Sequence, residues 1–457
     1  MAGRFTHVMG IDIGSDATKM VELRLGRNGV ELAGGPVVFR TPPHTVQGGV
    51  VVEPQAVGAA IKEHLAAFGT RKCICSVGGQ SSLVVRISEM PQMSASDLKE
   101  AIQWELERQT TFPPDQIIYD YCVIERPDTP ADAPNMEVLL AAAHEDLVNA
   151  HVETLHAAGL QPVAIDIEPL CLSRAVVEIY GEQYIDQTVA VLNVGNTLTD
   201  IAIMRRGLLS FVRSIPTAGE GIARAISQAF VVDADEAERI KRQYARVDGG
   251  LGGAYAQPGP VVAAGPDTGS LDLGTPAPAH VASGTEDDTD APVFELSSTE
   301  DLGSHGDLEP TGERVTHLEL DETHVPPPPP PGAAGIGVAA APVTHTRAAG
   351  SSAATQQIYD AIAPILGELT TELRRSFDFY RRQHRNEAID RVVLSGGTAL
   401  LPGIAEFVVA DLGIPTEIAN PFAGVIAPET VAPEYLRDVG PLCAVAAGLA
   451  MRDMVPG

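Results

Sequence analysis

Apolar residues in this chain follow two periods. Short, nearly unbroken apolar runs at 7–13, 73–77, 188–194 and 389–394 read as buried strands. Residues 19–25, 83–87, 138–143, 162–167, 200–204 and 208–214 add further strands. Between them, a 3.6-residue period predicts helices over 57–68, 96–109, 145–158, 221–230 and 234–244, with Ser94 or Ser96 as N-cap of the second. Further on, 355–385 predicts a long amphipathic helix with Ile358, Ile362, Ile365, Leu369 and Leu373 on one side. Pro364 should kink that helix or mark its true beginning, because proline lacks the N–H the ladder needs. Two halves, each opening on apolar strands that end in glycine turns, predict α/β layers with a crevice between them.

One segment breaks the pattern. Residues 248–350 hold 14 Pro and 16 Gly, with 16 acidic and only 2 basic residues. Such a stretch cannot bury enough apolar area to offset its ordering entropy. It predicts a disordered acidic linker, with a polyproline II stretch at Pro326 to Pro331.

Charge then narrows the function. The 457 residues carry 31 basic and 60 acidic side chains, a formal net charge of −29. Without clustered Lys and Arg, neither nucleic acid nor anionic lipid is an expected partner. Five scattered cysteines make no disulfide framework or zinc spacing, and Cys73 and Cys75 alternate along one strand as core residues. No signal peptide or membrane span is read, so a reducing cytoplasmic location is expected.

Three strand-to-turn elements could carry chemistry. The first is Gly10-Ile11-Asp12-Ile13-Gly14-Ser15-Asp16-Ala17-Thr18-Lys19. A glycine with small hydroxyl residues leaves backbone N–H groups free for phosphate, Lys19 adds a point charge, and Asp12 could hold a hydrated Mg²⁺. The second, Asn193-Val194-Gly195-Asn196-Thr197-Leu198-Thr199-Asp200, repeats the turn. The third, Ser395-Gly396-Gly397-Thr398, is uncharged, and its glycines would lie flat against a base or ribose. There is no GxxxxGK[ST] motif and no GxGxxG after a strand, which argues against P-loop and dinucleotide folds.

The order of these elements resembles the nucleotide-binding fold of actin, Hsp70 and the sugar kinases. More narrowly, Met9 to Leu23 is similar to the opening of the PilM family, the actin-like proteins of type IV pilus assembly. Arg86-Ile87-Ser88-Glu89-Met90-Pro91-Gln92-Met93, the run Leu98 to Glu105, Phe112-Pro113, Asp120-Tyr121 and Ala158 to Asp166 resemble that family's inserted subdomain. The resemblance implies a two-lobed α/β fold with an inserted 1C (SHS2-like) subdomain, interrupted by the acidic insertion. Its subdomains would be 1A at 7–81, 1C at 82–168, a return to 1A at 169–185, 2A at 186–215, and 2B at 216–247. The linker at 248–350 would lead to a 2B/2A helix at 355–388, more of 2A at 389–435, and a closing 1A helix at 436–454.

The resemblance also implies ATP with Mg²⁺ in the cleft. Asp12, Gly14, Ser15, Thr18 and Lys19 would form the first phosphate element, with Asp12 reaching the metal through water. Asn193, Gly195, Asn196 and Thr197 would form the second. Gly219 and Glu220 would line the nucleotide, Glu238 and Lys241 would reach ribose and base, and Gly396, Gly397 and Thr398 would complete the adenosine side. Where the wider superfamily carries an acid, this chain has Asn193, which adds no charge and cannot act as a base. Nucleotide binding with little or no turnover is therefore expected, the nucleotide acting as a conformational ligand.

The implied partner is the N-terminal peptide of PilN, in a groove near 86–93 and the helix 98–108. That would place the chain at the cytoplasmic face of the inner membrane, reached only indirectly. The PilO/PilP alignment complex, the pilus motor ATPases and self-association are further implied contacts. A sugar or metabolite kinase would need an acidic base, for which Asp200 is the one stray candidate. An FtsA-like filament protein is the other alternative.

Overall fold

Each half of the chain opens on the same hairpin. In the computed structural model, which describes residues 5–79, 82–130, 132–178, 184–247 and 349–454, His7–Ile13 pairs antiparallel with Ala17–Gly26. Thr188–Val194 pairs in the same way with Thr199–Arg205. A parallel strand then joins each leading strand: Lys72–Val77 in the first lobe and Arg391–Ser395 in the second. Gln161–Ile167 and Thr416–Ile418 extend these parallel sides, while Gly29–Leu32 and Leu208–Ile215 extend the antiparallel sides. The two sheets thus share one strand order, and the first also carries Val37–Arg40 on Ala17–Gly26.

The leading strand His7–Ile13 is mostly apolar because both its faces are covered, yet the period of two survives. Met9, Ile11 and Ile13 pack with Cys73, Cys75 and the helices Pro54–His64 and Glu145–Ala157. Val8 packs on the opposite side with Val21, Leu23, Ile74 and the fully buried helix Ala444–Ala450. Gly10 is where that helix comes closest, since a Cβ there would sit 1.9 Å from the Ala446 carbonyl oxygen.

Between the two parallel strands of the first lobe the chain makes a separate three-stranded sheet. Its central strand is Asn135–His144, flanked by Leu83–Pro91 and Ile117–Ile124. The helix Ala95–Gln109 covers one face, and Ser94 caps it by accepting from the Asp97 amide. Leu98, Ile102 and Leu106 pack there against Met90, Met136, Val138 and Leu140. The strand 117–124 is absent from the sequence reading because it is an edge, half exposed on both faces, with no clean alternation. The insert also touches the second lobe: Arg126 forks onto Glu137 and donates to the Leu209 carbonyl at 3.0 Å, and Asp128 pairs with Arg205 and Arg206.

The long helix runs Ala349–Gln383, so it neither begins at Pro364 nor ends there. The lost backbone bond costs about 3 kcal/mol. Burial of Ile358 and Ile362 before the proline, and of Leu366, Leu369, Leu373, Phe377 and Tyr380 after it, outweighs that cost. Ile365, expected on the buried line, is only partly buried, and Leu366 takes its place. The expected linker 248–350 lies outside the described residues, apart from 349–350, which open this helix. Among the described residues no helix is long and apolar enough to cross a membrane.

Gly10→Ala should destabilise the protein by roughly 1–3 kcal/mol or more, because strand and helix must separate to admit one methyl. Thermal melts compared with Gly367→Ala, where a Cβ meets nothing within 4 Å, or simple loss of soluble yield, would show it; an unchanged melting temperature would mean the contact is slack.

Candidate functional site

The two hairpin turns face one cavity of about 500 Å³ between the lobes. Each closes alike: the Gly14 amide donates to the Ala17 carbonyl at 3.1 Å, and the Gly195 amide to the Leu198 carbonyl at 3.0 Å. The strand register sets Asp12 opposite Lys19 in one hairpin and Asn193 opposite Asp200 in the other. All four side chains belong to the cavity wall.

The Lys19 ammonium lies 3.1 Å from the Asp12 carboxylate. Burial, the largest influence, pushes its pKa down, but attraction to Asp12, the hydrogen bond with it, and the nearby Glu168 and Cys443 together leave the value raised, so Lys19 keeps its charge. Thr18 is not in the wall. Its hydroxyl meets the Thr41 hydroxyl at 2.9 Å, and Thr41 donates to the Gly14 carbonyl at 2.7 Å, so Thr18 braces the turn from behind.

In the second lobe, Asn193, Gly195, Asn196 and Thr197 line the cavity. The helix Gly219–Phe230 starts behind them, its Gly219 amide bonded to the Gly195 carbonyl at 3.0 Å and its Glu220 amide to the Asn196 carbonyl at 2.7 Å. Gly219 itself is therefore outside the wall. Glu220 is outside as well, because its carboxylate turns to Arg224 on the surface, 2.8 Å away. Glu238 and Lys241 do reach the cavity from the helix Ala234–Tyr244, paired at 2.6 Å, with Lys241 also donating to the Gly219 carbonyl at 3.0 Å.

Gly396, Gly397 and Thr398 complete the wall. Gly396 has φ +87°, and a Cβ there would meet the Val194 carbonyl oxygen at 2.5 Å. Glycine is required by both facts.

The structure adds residues that sequence reasoning did not select: Asp16, Ser76, His151, Glu168 and Arg242. Two had visible signals. Ser76-Val77-Gly78-Gly79 is a strand ending in paired glycines, like Ser395-Gly396-Gly397, and Glu168 follows the end of Gln161–Ile167 where Pro169 opens the next helix. His151, Asp16 and Arg242 had none, since a helical histidine and a surface ion pair look ordinary.

Asp16 and Arg242 join the lobes. One guanidinium nitrogen of Arg242 lies 3.0 and 2.8 Å from the two Asp16 oxygens, while its Nε donates to Glu238 at 2.8 Å. Burial pushes the Glu168 carboxyl well above the usual carboxylate range, with Asp200 and Asp12 raising it further and Lys19 opposing. Asp200 is raised by burial too, although hydrogen bonds from Ser214 and Glu168 hold it back. The inner end of the cleft therefore keeps a proton between these two acids.

A family model described as type IV pilus assembly protein PilM matches residues 10–251 and 350–454, well over half of the chain. The chain belongs to the PilM family. A solved PilM-PilN type IV pilus biogenesis complex contains a chain of the same fold, with TM-score 0.69 and 24% identity, covering 99% of this chain and 100% of that one. The cell division protein FtsA of Bacillus subtilis (strain 168) is 24% identical over 271 residues, 54% of this chain and 58% of FtsA. The chain thus spans a little over half the length of that relative. The fold is actin-like, two α/β lobes with an inserted subdomain, as the sequence implied.

Two outcomes follow from the site. The native Glu168 carboxyl binds its proton more tightly than the unfolded chain, so stability falls as pH rises from about 4.5 through the raised native value. Glu168→Gln should flatten that fall, so melting temperatures of mutant and wild type would diverge in the mutant's favour from pH 4.5 to 8. Parallel curves would mean the carboxyl is not perturbed. Arg242→Gln breaks a half-exposed pair and should cost less than about 1 kcal/mol. Amide exchange at 14–17 should nevertheless quicken severalfold, and unchanged exchange would rule out a bridge that steadies the turn.

Proposed function

We propose that the cleft binds Mg-ATP as a conformational ligand, and that the chain serves pilus assembly by docking a short peptide of an inner-membrane partner of the PilN type. The observation that carries this is the convergence on one cavity of both phosphate-type turns, Lys19, Lys241 and the Gly396–Thr398 segment. The donor set suits a nucleotide. Lys19, Ser15 and Thr197 stand at the phosphate end, and Lys241, Glu238, Gly397 and Thr398 at the nucleoside end. Bound ATP would supply charge bridging the lobes. Asp12 is suited to a hydrated Mg²⁺ carried by the phosphates rather than to a bare ion, because Lys19 already holds one of its oxygens. Among the described residues no three His, Cys, Asp or Glu side chains form a metal cage.

Closure is the response these residues support. Ser15 faces Asn196 and Asp16 holds Arg242 across the cleft, so a ligand touching both turns favours the closed arrangement. Asn193 lies where a charged base would be expected, and its neutral amide leaves no strong general base on that strand. Slow or absent hydrolysis is consistent with that.

We assign 7–81 and 161–178 to subdomain 1A, the insert to 1C, and the second lobe to 2A and 2B; residues 161–168, expected within 1C, are moved because Gln161–Ile167 pairs with Lys72–Val77 in the first-lobe sheet. The peptide would dock where insert and first lobe meet. Met90 and Leu98 are packed inside the insert, so they support the groove without facing it. Membrane location would follow from the partner alone, and contacts with PilO/PilP or the motors would be made through the same assembly.

Calorimetry with Mg-ATP tests the nucleotide reading: binding should be measurable, Lys241→Ala should weaken it about tenfold, and Asn193→Asp should speed phosphate release. No binding by the wild type would sink it. Fluorescence anisotropy with a labelled PilN N-terminal peptide tests the docking independently, and a flat titration would remove that partner.

A further inference from the structure

The shared strand order of the lobes makes Ser76 and Ser395 counterparts. Ser395 pairs with Asn193 in the second lobe, and Ser76 stands one residue past the Ile11–Cys75 pair in the first, level with Asp12. Ser395 donates to the carbonyl of the neighbouring strand, Leu192, at 3.0 Å. Ser76 makes no such bond. Its hydroxyl is buried and without a partner, although the residue is part of the cavity wall and only 3% exposed. A buried hydroxyl left unpaired is costly, so one that turns away from a carbonyl its counterpart uses calls for another partner.

His151 stands in the same wall, on the helix Glu145–Ala157 that packs over Lys72–Val77. It is 1% exposed, and its Nδ1 lies 2.8 Å from the Leu147 carbonyl, so Nδ1 carries the proton. Burial lowers its pKa and keeps the ring neutral, which leaves Nε2 as an acceptor. Glu168 also lines this end of the cleft, beside Gly78, but the proton it holds is shared with Asp200.

Ser76 and His151 bring no charge of their own. Asp12, level with Ser76, disfavours an anion beside that hydroxyl, and no metal cage exists among the described residues. What remains is a hydroxyl donor and acceptor and an imidazole acceptor.

We propose that Ser76 and His151 form a binding site for a neutral hydroxyl at the inner end of the cleft, supplied by a small alcohol or by water. The site stands on the recess itself and does not depend on the nucleotide reading, so failure of Mg-ATP to bind would leave it intact.

Ser76→Ala in the full-length protein tests it, with glycerol as the alcohol probe. A water-held site predicts a melting temperature about 2 °C lower in the mutant, with the same glycerol slope as wild type. An alcohol site predicts that wild type gains stability saturably with glycerol while the mutant shows only the shallow linear rise common to polyols. Equal or higher melting temperature in the mutant at every glycerol concentration overturns the proposal, because the hydroxyl was then unpaired. Should Ser76→Ala fail to fold, a high-resolution crystal structure of wild type decides. An oxygen within hydrogen-bond reach of both Ser76 Oγ and His151 Nε2 supports the site, and its absence overturns it.

Discussion

Everything in the cleft hangs from one backbone constraint used twice. A glycine amide bonded to the carbonyl three residues on closes the turn after each leading strand, at Gly14 and at Gly195. Once closed, the turn fixes the antiparallel register behind it. That register decides which side chains meet across the hairpin, Asp12 with Lys19 and Asn193 with Asp200. Each turn is then braced by a buried threonine in equivalent position. Thr18 works through Thr41 onto the Gly14 carbonyl, and Thr199 donates to the Thr217 carbonyl at 2.7 Å. Rigid turns on rigid sheets are what a polar cleft needs, since donors must be held before a ligand arrives.

The repetition makes the differences informative. The first hairpin has a cation where the second has an acid, so the base of the cleft is asymmetric in charge although symmetric in backbone. Lys19 stays charged because Asp12, together with Glu168 and Cys443, offsets its burial. Asp200 has no such partner and leans instead on Ser214 and Glu168, sharing a proton with the latter. Around this base the elements that differ between lobes do the orienting: the insert reaches the second lobe through Arg126 and Asp128, and Arg242 reaches the first through Asp16.

Much of this was readable as sequence. Period-two and period-3.6 patterns located the leading strands and most helices, and three glycine turns named a large part of the cavity wall. The fourth turn, at Gly78-Gly79, has the same form but no charge or motif beside it. Thr18, Gly219 and Glu220 were read as ligand contacts, yet each is committed to its own fold. Thr18 is behind the turn, Gly219 is covered by Lys241, and Glu220 is drawn off by Arg224. Sequence spacing cannot distinguish a residue beside a site from one in it.

By itself, then, the sequence determined the halves of the molecule, their leading strands, and the turns at which small residues and glycine leave backbone free for a ligand. Those are local properties, set by side-chain size and period within a few residues. Only the tertiary structure decided that Ser76, His151 and Glu168 join Asp12 at one end of the cleft, and that Asp16 meets Arg242 across it. These partners are separated by tens to hundreds of positions, and their distances depend on how two sheets pack. The persistence of the long helix through Pro364 is of the same kind, because burial on the second sheet outweighs a local backbone defect.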